Sequence, residues 1–117
     1  YGHDAGDDVL RDFALRIKRS IRGIDLASRC GGEEFIIVMP ETDITVAAMV
    51  AERLRRRIAA EPFVISQGGR SIPVTLSIGI AGLRGRDDTA ASLIKRADQA
   101  LYRAKRDGRN RVVPDAA

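Results

Sequence analysis

Two glycines and two adjacent carboxylates meet in the stretch CGGEEF, Cys30 to Phe35, between apolar runs on either side. Like charges side by side repel, so they sit cheaply at a solvated turn or usefully around a cation. In the plainer account Gly31 and Gly32 supply the positive φ angles of a tight hairpin, and Glu33 and Glu34 face water. In the chemical account the glycines clear space for a bulky nucleotide. Glu33 and Glu34 then hold Mg²⁺ and handle the proton of an attacking hydroxyl.

Three other groups carry potential chemistry. Arg22 and Asp25, in RGID, are either a solvated ion pair of little worth or a clamp for an anionic, purine-bearing ligand. In the clamp, Arg22 would hold phosphate or stack on a base, while Asp25 accepts from guanine N1 and N2. Lys105 and Arg109 straddle a glycine at the end of a basic helix, where both could turn toward one triphosphate. Asp7, in GHDAGD, is either an ordinary residue at a helix start or a reader of guanine donors. His3 and Cys30 have structural or neutral roles.

The elements that must position these groups follow from periodicity. Val9, Leu10, Phe13, Ala14, Ile17 and Ile21 predict a helix from Asp7 to about Gly23. LASRC and FIIVM then predict a β-hairpin around the Gly-Gly-Glu-Glu turn, with FIIV covered on both faces because it does not alternate. Ala47, Val50, Ala51, Leu54 and Ile58 predict a second helix from about Thr45 to Ala60. FVIS, the turn QGGR and IPVTLSIGIAG predict a second hairpin with a long return strand. Asp87, Asp88 and Thr89 open a third helix whose stripe is Leu93, Ile94, Ala97, Leu101 and Ala104, and Gly108 closes it. NRVV is a last short strand. The expected fold class is α/β (α+β), with helices packed on a largely antiparallel sheet.

Bulk properties narrow the function classes. The 117 residues suit one domain with a modest core. A net charge of +4 suits an anionic partner, but three Phe, two Tyr and no Trp argue against stacking platforms for single-stranded nucleic acid. One cysteine excludes an internal disulfide and suits a reducing compartment. No apolar run is long enough to span a bilayer, and no signal peptide is visible.

GHDAGDDVL, RGID, RCGGEEF, VTLSIGIA and LIKRADQALYRAKRDGRNRVV together resemble the GGDEF family, the diguanylate cyclases, in order and spacing. The signature is the GGEEF variant, and the phrasing looks most like PleD-type members. The resemblance covers essentially the whole chain and implies a palm, nucleotidyl-cyclase-like sheet flanked by helices. It implies condensation of two GTP into cyclic di-GMP by a homodimer, each subunit bringing one GTP.

Residue by residue, the resemblance gives Gly31 and Gly32 the signature positions beside the substrate. Glu33 becomes a ligand of catalytic Mg²⁺ (or Mn²⁺), and Glu34 serves metal binding or activation of the hydroxyl. Asp7 becomes the guanine reader, and Lys105 and Arg109 the basic pair on the triphosphate. Arg22 and Asp25 match an inhibitory RxxD site for cyclic di-GMP, and Arg53 aligns with a residue that completes the site from a neighbouring domain. A bacterial cytoplasmic setting and an N-terminal receiver or sensor domain are also implied. The family's opening strand and its DxDxFKxxND-like segment would precede GH. The expectation is therefore one domain, residues 1–117, truncated before its first, central strand. A second expectation is a cyclic di-GMP-binding module that uses the RxxD site without catalysis.

Overall fold

Apolar residues at three- and four-residue spacing coil the start of the chain into α1 (His3–Ser20). The computed structural model describes the backbone of residues 3–31, 34–64, 69 and 71–115, and the side chains of 9–29, 34–64, 69 and 71–115. A hairpin, β1 (Leu26–Gly31) and β2 (Glu34–Val38), follows α1. Then come α2 (Ile44–Ala60), β3 (Phe63–Val64), β4 (Ser71–Ile72), β5 (Ser77–Ile80), α3 (Ala90–Arg106) and β6 (Arg111–Pro114). Among the described residues the strands form three two-stranded pieces: β1–β2 and β3–β4 antiparallel, β5–β6 parallel. This mixed helix-and-strand architecture is that of the expected fold class.

The first core joins α1 to α2. Phe13, Ile17, Leu54, Ile58 and Phe63 are buried together, with Phe35 and Ile37 of β2 packed against them. The Phe13 ring lies 5.0 Å from that of Phe35 and 6.3 Å from that of Phe63. The Arg16 guanidinium covers Phe63 at 3.7 Å and donates to the carbonyl of Pro62 at 3.1 Å.

The second contact presses α3 onto β5. Ala100 and Ala104 are fully buried. A Cβ placed on Gly79 would stand 2.2 Å from the Leu101 nitrogen and 2.3 Å from the Ala97 oxygen, so helix and strand meet backbone to backbone. Thr89 caps the helix by accepting from the Ser92 N–H at 3.0 Å.

A buried ionic group holds the same helix. Arg96 pairs with Asp88 and Asp115 and donates to the Gly82 carbonyl. Arg84 reaches Asp115 at 2.8 Å, and the Asp115 N–H donates to the Ile80 carbonyl. The Arg84 N–H, with Arg96 beside it, holds the Asp88 carboxyl below its usual range.

Four expectations are corrected. The first helix begins at His3, so Asp7 lies inside α1 rather than at its start. The long return strand is broken: Pro73 lacks the N–H that would extend β4, and β5 pairs in parallel with β6 instead. FIIV is not covered on both faces: Phe35, Ile36 and Ile37 are half-buried and Val38 is exposed, with β1 the one strand paired to β2 among the described residues. Ile94 stands 44% exposed, because the face of α3 against the sheet centres on Arg96, Ala100 and Ala104.

Candidate functional site

The turn from α1 into β1 is built around RGID. The Asp25 N–H donates to the Arg22 carbonyl at 3.0 Å, which closes a tight turn. The Asp25 carboxylate answers with three bonds. Its Oδ2 accepts from the Arg22 backbone N–H at 2.9 Å and from Nε at 3.0 Å, and its Oδ1 accepts from Nη2 at 2.8 Å. The Asp25 side chain has no exposed surface, whereas that of Arg22 keeps about a third of its own, 35%. The hydrogen-bonded Arg22 guanidinium pulls the Asp25 carboxyl below its ordinary range. Thr42 adds a hydroxyl acceptor for Arg22 Nη2 at 2.5 Å. The pair is therefore a built, partly buried unit rather than a loose surface ion pair. For Asp25 to accept from a guanine, it would have to exchange bonds it now gives to Arg22.

Arg53, on α2, reaches the same corner. Its Nη2 donates to the Ser20 carbonyl at 3.0 Å, two residues ahead of Arg22. Arg53 is thus anchored at the end of α1, two residues before the RGID turn.

Lys105 and Arg109 share the end of α3. The Arg109 N–H bonds the Ala104 carbonyl at 2.9 Å and the Asp107 N–H bonds Arg103, so the helix closes in a Schellman turn at Gly108 (φ 122°). Arg109 and Asn110 follow with φ of 64° and 47°. For a side chain such as arginine, this left-handed backbone costs about 1–2 kcal/mol. Lys105 and Arg109 are both exposed, and aligned carbonyl dipoles favour cations at this helix end.

The signature lies at the β1–β2 tip. Gly31 pairs with Glu34 after a register irregularity between Arg29 and Gly31, and Glu34 is exposed. Gly32 and Glu33 fall outside the described residues, as do the side chain of Asp7 and the surroundings of Gly31. Among the described residues no three His, Cys, Asp or Glu side chains converge on one point. The donor chemistry of the tip still suits a hard cation, since Mg²⁺ is commonly held by one or two carboxylates plus substrate phosphates.

Sequence reading missed a second ionic group beside Arg109. Arg55 on α2 donates to both Glu52 oxygens, at 2.5 Å from Nε and 3.0 Å from Nη2, and from Nη1 to Asn110 Oδ1 at 2.8 Å. These bonds hold the Glu52 carboxyl down at about 2. The three-residue spacing of Glu52 and Arg55 was visible along the helix, but their meeting with Asn110 was not.

Comparison with known proteins gives a consistent picture. The family described as "Diguanylate cyclase, GGDEF domain" matches residues 1–111. The chain is 48% identical over 117 residues to the response regulator PleD of Caulobacter vibrioides, all of this chain and 26% of that protein. It is 46% identical over 112 residues to diguanylate cyclase A of Treponema denticola, 96% of this chain and 30% of that one. The chain thus spans less than a third of these curated relatives. Among solved structures, the GGDEF domain of DgcB from Caulobacter crescentus in complex with c-di-GMP superposes with a TM-score of 0.92 at 34% identity, covering 100% of this chain and 68% of that one. The active GGEEF domain of a Vibrio cholerae diguanylate cyclase gives 0.83 at 38% identity, covering 100% and 72%.

Proposed function

Since this chain belongs to the GGDEF family of diguanylate cyclase domains, we propose that it serves the condensation of two GTP into cyclic di-GMP, with release of two pyrophosphates. The 3′-hydroxyl of each GTP attacks the α-phosphate of the other. One P–O bond forms and one α–β anhydride bond breaks at each centre, and pyrophosphate leaves. Such transfer needs positioning and charge neutralisation more than covalent help.

The observation that carries this reading is the end of α3, where a fixed Schellman turn sets Lys105 and Arg109 as two exposed cations around one glycine. They would grip the triphosphate and steady the charge on the departing pyrophosphate. Glu33 and Glu34 would hold Mg²⁺ or Mn²⁺, which when bound neutralises phosphate charge. Glu34 would also take the hydroxyl proton. Gly31 and Gly32 leave the substrate room, and Asp7 pairs with the guanine edge. Adenine would leave that carboxylate unpaired, which penalises the wrong base. Each subunit of a homodimer contributes one GTP.

Product inhibition is assigned to Arg22, Asp25 and Arg53. The support is the fully buried Asp25 carboxylate that fixes Arg22, with the Arg53 of a neighbouring domain to complete the site. The same Arg22–Asp25 unit favours a second reading, a cyclic di-GMP-binding module without turnover. Incubation with GTP and Mg²⁺, with detection of cyclic di-GMP, separates the two. On the cyclase reading, Glu33→Gln abolishes turnover and keeps cyclic di-GMP binding. Turnover that survived Glu33→Gln would remove the assignment of the metal site.

A further inference from the structure

The bond between Arg55 and Asn110 has no part in the function proposed above, yet it falls on the residue next to Arg109. We propose that Arg55 is a positioning residue for Arg109, acting through Asn110 to aim the triphosphate clamp. This rests on the reading of Arg109 as a phosphate ligand.

Residues 109 and 110 both hold left-handed backbone, at φ 64° and 47°. An arginine disfavours that region, and asparagine only tolerates it, so something outside the turn must hold it there. The Schellman bond from the Arg109 N–H to Ala104 fixes where the turn starts. Arg111 bounds the turn on its other side, pairing with Ser77 and donating from Nε to the Arg109 carbonyl at 3.1 Å. Arg55 adds a side-chain hold on the residue between them: Nη1 donates to Asn110 Oδ1 at 2.8 Å.

Arg55 can act as a fixed post because it is itself held. Its side chain is 18% exposed, and Glu52 takes both Nε and Nη2 in a two-pronged pairing one helical turn earlier. A planar guanidinium pinned along one edge presents its remaining nitrogen in a set direction. Glu52, Arg55 and Asn110 thus form a relay from the face of α2 to the turn after α3. The Arg109 side chain stays exposed at the end of that relay.

The test is equilibrium binding to the intact protein of GMP and of a GTP analogue with a methylene α–β bridge, which cannot cyclise. Arg55→Ala should weaken the analogue about tenfold, the scale of one charge-assisted bond, and leave GMP nearly unchanged. Asn110→Gly removes the same bond while leaving left-handed backbone accessible, so it should give the same loss even if Arg55→Ala proves unstable. Arg55→Ala/Arg109→Ala should bind the analogue no more weakly than Arg109→Ala alone, because both act on one contact. Equal losses for GMP and the analogue, additive losses in the double variant, or no loss in Asn110→Gly would each overturn the proposal. If Arg109→Ala left the analogue's affinity intact, the phosphate role of Arg109 would fall, and the positioning role with it. A loss in Arg109→Ala without one in Asn110→Gly would sink the positioning role alone.

Discussion

Asp25 gives both carboxylate oxygens to Arg22 while its own side chain is wholly shielded from solvent. Removing the arginine therefore does two things at once. Arg22→Ala should relieve inhibition by cyclic di-GMP without stopping turnover, and it should lower the Tm by stranding a buried carboxylate. Arg22→Ala/Asp25→Asn should regain part of that Tm and none of the inhibition. Product-inhibition curves and thermal melts on the two variants check both outcomes.

Acid should loosen the fold through three carboxylates held below their usual range: Asp25 by Arg22, Asp88 by the Arg84 N–H and Arg96, and Glu52 by Arg55. A depressed carboxyl contributes stability above its unfolded value and loses it as pH falls through its folded value. For Glu52 that window runs from 4.5 down to about 2. The Tm should stay level down to roughly pH 5 and then fall, and Asp88→Asn should show a shallower fall. A Tm that rose on acidification would contradict this pairing.

Gly79→Ala should destabilise the protein by about 1–3 kcal/mol, the usual cost of overpacking, because its new methyl meets helix backbone that cannot rotate away. Gly82→Ala is the control, since its Cβ would stand an ordinary 3.6 Å from Ile44. Denaturant unfolding of the two variants reads the difference.

Helix caps give a further contrast. Thr89 accepts from the Ser92 N–H, whereas the Asp43 side chain makes no capping bond at the start of α2. Thr89→Ala should cost about 1 kcal/mol and Asp43→Ala distinctly less. Equal losses would mean that helix-end charge, not the hydrogen bond, sets the cost.

The sequence disclosed what repeats and hid what converges. The stripes on α1 and α2 were legible because burial follows the helical period, as Phe13, Ile17, Leu54 and Ile58 show. The Gly108 cap was legible because only a few residues accept its backbone. The break at Pro73 was missed because β5 finds its partner in β6, more than thirty residues onward. The stripe of α3 was misread at Ile94 because a buried arginine, Arg96, takes a place that apolar periodicity assigns to hydrocarbon. Its partners Asp88 and Asp115 lie on two other segments. RGID showed its composition but not its burial. Arg55 and Asn110, 55 residues apart, gave no local sign of each other.

The bare backbone of Gly79 makes Leu101 the pivot of a lever. Lys105 lies four residues beyond that pivot, about 6 Å along the axis, so a tilt of roughly 10° would swing it by about 1 Å. Displacements of that size can cost an active site about a hundredfold in rate. Arg96, five residues on the other side of the pivot, is clamped by Asp88 and Asp115. Held at two points, the Gly79 contact and the Arg96 clamp, α3 is braced against rocking on β5.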